Sequence, residues 1–295
     1  MQNVDEDTIT QIVLARHAEA PSPRLKQIMT SVVQHLHAVA RDVELTEEEW
    51  FKGIQFLTDV GHITDEKRQE FILLSDTLGL SMLVTALNNR KPRGCTESTV
   101  FGPFFVENAP EYQNGDDVGN GAKGEPCFVS GRVTGLDGEP VPNARIEVWQ
   151  ADSDGFYDVQ YEGATSNHGR GMLRSLADGS FHFKSITAES YPIPHDGPVG
   201  RMLSALGRHP WRPAHLHFMI EAPGYEGLIT HVFRSGDQYL NSDAVFGVRS
   251  SLIADWQRHG PGHAPDGSEV DTPFSTLDFT FVLKRSGAAV ESRAA

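Results

Sequence analysis

Residues 211–224, WRPAHLHFMIEAPG, hold the side chains best suited to chemistry. In an extended strand, residues two apart project from one face, so His215 and His217 point together while Leu216 and Phe218 point the other way. Two imidazoles side by side on a rigid strand form a chelating pair for a transition metal. The chain supplies its own contrast in His35 and His37. Those lie in a strongly helical stretch, where a two-residue step turns the side chain through roughly 200°, so the rings diverge. A strand pair of this kind also fits a solvated strand face, a zinc site or a cupin. For a cupin, Glu221 follows His217 at a suitable spacing. The remaining cupin pattern is missing, because position 209 is His rather than Gly and no later PxGxxH segment occurs.

The elements that must position these residues change character along the chain. In residues 23–45 the apolar residues Leu25, Ile28, Met29, Val32, Val33, Leu36, Val39 and Val43 recur at three- and four-residue steps, predicting a helix with one buried stripe. Thr46 followed by Glu49 fits a capping box ahead of Trp50, Ile54 and Leu57. A third helix is expected from Glu66 to Leu87, carrying Phe71, Leu74, Leu78 and Leu83. From about Cys127 the period becomes two: Val129, Gly131 and Val133; Ala144, Ile146 and Val148; Phe181 and Phe183; Phe279, Phe281 and Leu283. Asp137-Gly138, Asp154-Gly155 and Asp178-Gly179 are turn signals between such runs. Short alternating strands with these turns predict an antiparallel sandwich or barrel. The Ala-rich tail after Lys284 is expected to fray.

The formal net charge is −15, from 40 acidic residues against 25 Lys plus Arg. That balance excludes a nucleic-acid partner, which needs a basic surface. Cys95 and Cys127 form no CxxC pair and no disulfide framework, which suits a reducing cytoplasm. The acidic N-terminus lacks the basic end and apolar core of a signal peptide. No apolar run approaches the roughly 20 residues of a membrane helix.

A second constellation lies in VSGRVTGLDGEPVPNARIEVWQADSDGFYDVQ. Here Val129, Gly131, Val133, Gly138, Val141, Ile146, Glu147, Val148, Gly155 and Tyr157 fall at the spacing of a known signature. On these residues the chain resembles the intradiol ring-cleavage dioxygenases, from roughly Thr30 to Leu283, including the helical N-terminal region of their catechol-type branch. The first half of the signature also looks like the opening hairpin of an immunoglobulin-like module, which lacks the later Tyr, Arg and His-x-His set. The resemblance implies a helical dimerisation region (1–95) and an antiparallel β-sandwich catalytic region (96–295): mainly β, with an α-helical N-terminal part.

It further implies an Fe(III) cofactor held by Tyr157, Tyr191, His215 and His217, with Tyr191 in the ESYPIPHDGP loop. A trivalent cation favours phenolate over phenol, and two phenolates plus a hydroxide cancel its three charges. By resemblance Tyr191 is the ligand displaced by substrate and Tyr157 the one retained. Arg212 would lie against the substrate ring, where a guanidinium stabilises developing negative charge. The match departs at His231, where several catechol-type relatives carry Gln, so no role follows there. FILLSDTLGL, STVFGPFF and YPIP most resemble the hydroxyquinol (benzene-1,2,4-triol) branch. That implies a pocket of Leu73, Asp76, Val100, Phe101, Gly102, Pro103, Phe104, Ile193, Pro194, Arg212 and Val245, with O2 as co-substrate. Asp76 sits in an apolar helix, where a carboxylate needs a partner; a third substrate hydroxyl, a helix cap or a solvent-facing position would each satisfy it. The resemblance also implies a homodimer through the N-terminal helices, sometimes with a phospholipid in a groove. Catechol or chlorocatechol cleavage, a cupin-like metalloenzyme and a non-catalytic binding module are the competing readings.

Overall fold

The computed structural model describes residues 4–65, 68–161, 163 and 167–287. Glu66, the expected start of the third helix, and the end of the Ala-rich tail lie outside them. By internal contacts the chain divides into two compact units, Met1–His62 and Ile63–Ala295.

The first unit is helical: α1 (Ile9–Arg16), α2 (Pro23–Asp42) and α3 (Glu47–Ile63). The Ser22 hydroxyl accepts from the Leu25 amide ahead of Pro23, capping the first turn of α2. The expected box at α3 forms: the Glu49 carboxylate accepts from Thr46 N at 3.0 Å, and Thr46 Oγ1 accepts from Glu49 N at 3.3 Å. The stripe on α2 is not buried as expected. Leu25, Ile28, Met29, Val32, Leu36, Val39 and Val43 are 38–63% exposed. Periodicity reports that a face is apolar but not whether the same chain covers it.

The expected third helix is two helices. In the second unit, α4 (Glu70–Thr77) and α5 (Leu80–Asn88) meet at a 78° bend. The apolar spacing runs across the break, but Gly79 takes φ +75° there, a left-handed conformation that ends an α-helix. Among the described residues no single helix is long and apolar enough to cross a membrane.

The strands are β1 (Pro126–Gly135), β2 (Arg145–Trp149), β3 (Arg170–Arg174), β4 (Ser180–Ile186), β5 (Tyr191–Pro192), β6 (Trp211–Arg212), β7 (His215–Glu221), β8 (Leu228–Arg234), β9 (Ile253–Ala254), β10 (Trp256–His259), β11 (Gly262–His263), β12 (Glu269–Val270) and β13 (Phe274–Leu283); α6 (Pro198–Ala205) interrupts them. Two sheets, β10-β13-β1-β4 and β3-β2-β7-β8-β9, form the sandwich, and β5–β6 and β11–β12 are small separate pairs. Pairing is antiparallel except at β1–β13 and β8–β9, which are parallel. Alternation shows which face a residue takes but not strand direction, and no tight turn joins β1 to β13 to impose one.

Val129, Val133, Phe181 and Phe281 of the first sheet share one core with Ile146, Val148, Leu216, Phe218 and Ile220 of the second. Each such side chain stabilises by about 1.5–3 kcal/mol on burial. With Leu216, Phe218 and Ile220 committed to the core, the opposite face of β7 carries His215, His217 and Met219. The candidate chemistry therefore sits on the outer face of the five-stranded sheet, under the segments that cross it.

Candidate metal centre

His215 and His217 are buried on that outer face, with their Nε2 atoms 3.2 Å apart. The His215 Nδ1–H donates to the Pro213 carbonyl at 2.7 Å, which leaves its Nε2 as a lone pair. That lone pair accepts from Arg212 Nη1 at 3.2 Å. His217 stacks on Trp149 of the neighbouring β2, with centroids 4.6 Å apart, and its Nδ1 has no hydrogen-bond partner among the described residues. The other pair, His35 and His37, lies apart on α2: His35 Nδ1 donates to its own helix at Ser31 O and His37 meets Thr10.

Two tyrosines complete the cluster. Tyr157 Oη lies 2.9 Å from His217 Nε2 and 3.1 Å from Tyr191 Oη. Tyr157 comes from the loop after β2, and Tyr191 from β5, which pairs with β6 so that Tyr191 stands opposite Arg212. Gly155 makes the approach possible. It has φ +84°, and a Cβ there would sit 3.0 Å from the Tyr191 Cβ. Behind Tyr157, the buried Arg170 guanidinium bonds the Asp158 carboxylate and the Phe104 carbonyl. Phe104 in turn stacks on the Tyr157 ring at 4.5 Å. The ring is thus held from both its chain neighbour and its face.

Arg212 is buried with Asp243, its Nε donating to Oδ1 at 3.1 Å. Burial works against the charge on Arg212, but the Asp243 carboxylate outweighs it and keeps the guanidinium above its ordinary value. Asp243 is itself fixed by accepting from Gly247 N at 2.9 Å.

The other sequence-predicted residues take varied positions. A Cβ on Gly102, which has φ +78°, would lie 3.3 Å from His217 Cε1, so this backbone passes directly over the ring. Phe101 packs on Phe105 and on the edge of Trp149. Val245 follows the Asp243 turn, its amide donating to Asp243 Oδ1. Leu73, Val100 and Ile193 are buried, Pro194 is half-buried and Pro103 is exposed. Asp76, on α4, is 5% exposed, which removes the solvent-facing reading. Burial pushes its carboxyl up, opposed by the Ser81 hydroxyl and the Arg212 charge. Glu221, at the end of β7, is exposed.

Three residues had no assigned place in the sequence reading. His231 faces His217 across the β7–β8 register and joins His215 and His217 in a group whose ring nitrogens lie within 4.8 Å of one another. The two-residue alternation in β8, which sends Leu228 and Val232 to the core, carried that signal. Asp243 and Trp149 had none, because their partners are remote in sequence.

Donor chemistry and orphaned atoms both fit a cation. Two imidazole nitrogens and two phenol oxygens crowd together, and His217 Nδ1 and both His231 nitrogens lack hydrogen bonds among the described residues. Burial, then the Arg212 charge, pulls His215 down to about 3, and burial takes His217 and His231 well below the ordinary value of 6.5. Burial also raises Tyr157, followed by the neighbouring Tyr191. Imidazoles that are neutral when folded and titrate near 6.5 when unfolded stabilise fully above that pH. Their contribution falls as pH drops from 6.5 towards the folded value of about 3 for His215. Metal-free protein is therefore expected to lose about 2 kcal/mol through His215 alone between pH 7 and 5. Urea midpoints across that range measure it; a flat midpoint would mean the ring is not held neutral.

Residues 100–284 match the family model described as "Dioxygenase", and residues 22–96 match "Catechol dioxygenase N terminus". The chain is 63% identical to a 6-chlorohydroxyquinol 1,2-dioxygenase of Cupriavidus pinatubonensis over 283 residues, 96% of this chain and 99% of that one. It is 53% identical to a hydroxyquinol 1,2-dioxygenase of Nocardioides simplex, covering 96% of each. The crystal structure of a hydroxyquinol 1,2-dioxygenase from Pseudomonas putida DLL-E4 superposes with a TM-score of 0.89 at 48% identity, over 95% of this chain and 99% of that one. These matches set aside the cupin-like and immunoglobulin-like readings. The chain is an enzyme and belongs to the intradiol dioxygenase family.

Proposed function

We propose that this enzyme is a ferric intradiol dioxygenase that opens the ring of hydroxyquinol between its adjacent hydroxylated carbons, with O2 as co-substrate. The observation that carries the reading is the mutual contact of Tyr157, Tyr191, His215 and His217, all donors of the kind that would hold Fe(III). Bound there, the ion would supply Lewis acidity and a template for the diol. Both atoms of O2 end in the product, 3-hydroxy-cis,cis-muconate, the enol form of maleylacetate.

The chain's own residues have separate tasks in this proposal. The Pro213 carbonyl holds His215 in the tautomer that offers Nε2. Tyr191 Oη accepts a proton from a substrate hydroxyl, while Tyr157, wedged by Phe104 and the Asp158–Arg170 pair, stays in place. Arg212, held cationic by Asp243, stabilises negative charge that develops on the ring. Asp76 lies within the field of Arg212 and accepts the hydroxyl that distinguishes hydroxyquinol from catechol. The relatives named for hydroxyquinol and its chloro derivative support this substrate. The exposed apolar face of α2 supports a second copy of the chain as its cover. The two free buried thiols suit a cytoplasmic setting.

Iron-loaded protein is expected to be reddish, from phenolate-to-iron charge transfer, and a colourless protein with full iron content would refute the ferric centre. A hydrogen bond to a charged group is worth about 1.5–3 kcal/mol. The specificity constant for hydroxyquinol should therefore exceed that for catechol at least about tenfold. A clear preference for catechol or a chlorocatechol would overturn the substrate assignment and leave the ring-cleavage chemistry standing.

A further inference from the structure

His231 has no task in the four-donor set, yet its position is an expensive one. It is fully buried, and neither ring nitrogen has a hydrogen-bond partner among the described residues. A buried polar group left unpaired costs about 1–3 kcal/mol, so a ligand that takes a lone pair here is favoured. The ring meets His217 edge-on at 4.1 Å between centroids and His215 at 4.8 Å. One ring nitrogen from each of the three lies within 4.8 Å of the others.

We propose that His215, His217 and His231 form a three-imidazole site for a borderline divalent cation, such as zinc(II) or cobalt(II), which the chain takes up without either tyrosine when it lacks iron. The proposal rests on the reading of this cluster as a metal centre, but it adds a coordination set that the ferric reading does not contain. Imidazole suits zinc, copper, nickel and cobalt, whereas a phenolate matches a harder, more highly charged ion. Imidazole also binds as the neutral group, while a phenol must first surrender its proton. Three histidines with a fourth position open is an established donor set for zinc.

The geometry accommodates this set. Zinc–nitrogen bonds of 2.0–2.1 Å place tetrahedral donors roughly 3.3 Å apart, close to the 3.2 Å between His215 and His217 Nε2. Bringing in His231 requires closing a gap of up to 4.8 Å. Its ring can shift without breaking a hydrogen bond, since it makes none with the described residues. His231 is also held on the strand bonded to β7, directly opposite His217, so the backbone already brings it to the cation. The consequence is a divalent form of the enzyme, lacking the phenolate-to-iron colour, that competes with iron loading.

The test uses the full chain, freed of iron by reduction and chelation and shown by circular dichroism to remain folded. Cobalt(II) is titrated in and followed by calorimetry and visible d–d absorption. One ion per chain is expected, with the absorption of a low-coordinate cobalt centre. His231→Gln and His231→Phe should each lose at least about tenfold in cobalt affinity, since even the loss of an outer partner costs 10–100-fold. Both should still develop the ferric colour on reloading, and His231→Gln carries the test if the larger change fails to fold. Tyr157→Phe should bind cobalt within about threefold of the parent. Unchanged affinity in the His231 variants, no cobalt binding by the parent, or an equal loss in Tyr157→Phe would each overturn the proposal. Cobalt binding with no ferric colour in the parent would instead sink the ferric reading and leave this one intact.

Discussion

Replacing Tyr157 with phenylalanine is expected to remove the charge-transfer colour and lower kcat/KM by more than about 100-fold. The comparison is with outer partners of a metal ligand, whose loss costs 10–100-fold; Tyr157 is proposed as a ligand itself. Its hydroxyl sits 2.9 Å from His217 Nε2 and 3.1 Å from Tyr191 Oη, and the side chain is 0% exposed. The phenylalanine ring keeps the stack on Phe104, so the fold should survive at a cost of about 1 kcal/mol. Thermal unfolding, iron content per chain, the visible spectrum and steady-state rates on one preparation separate these effects. Retained colour and turnover would show that another tyrosine holds the metal.

Arg212→Met should damage stability and catalysis by different routes. The substitution strips the counter-charge from Asp243, which is buried beside it. Breaking a buried pair from one side costs about 3–5 kcal/mol, because the remaining charge is uncompensated. Adding Asp243→Asn should recover most of that stability, since no buried charge is then stranded. Activity should not return. Loss of a preorganised group that meets developing charge costs about 10²–10³ in kcat, and the double variant still lacks it. Denaturant unfolding and kcat for both single variants and the double variant decide the matter. If the double variant regains kcat together with stability, Arg212 serves the fold alone.

The legible parts of this protein are those that follow from local periodicity and local hydrogen bonding. A two-residue step on a strand sends His215 and His217 to one face wherever the strand goes, and Leu216 and Phe218 to the other. Thr46 and Glu49 can satisfy each other's backbone amides within a single turn. The glycines of the three Asp-Gly turns all take φ near +80°, a left-handed conformation that glycine adopts in tight turns without steric cost. The tyrosines needed a longer pattern. Tyr157 came from a spaced signature and Tyr191 from its loop, because nothing local separates a tyrosine that meets the buried histidines from a packing one.

Other features depend on which remote segments meet. His231 joins the cluster because β7 and β8 pair in a register that sets it opposite His217. Asp243 supports Arg212 from 31 residues away, and Trp149 lies under His217 because β2 pairs with β7. The parallel direction of β1 against β13 is set by how the sheet closes, not by either strand's own pattern. The continuous apolar spacing over residues 71–83 concealed a break, since Gly79 preserves the count while its left-handed backbone ends the helix. Side-chain faces are a property of a few consecutive residues and can be read from them. Strand partners, register and remote charge pairs arise from long-range closure, whose entropy and packing involve the whole chain. For the histidine pair this means that adjacency was inherent in the chain, while the third imidazole, the buried guanidinium and its carboxylate came with the fold.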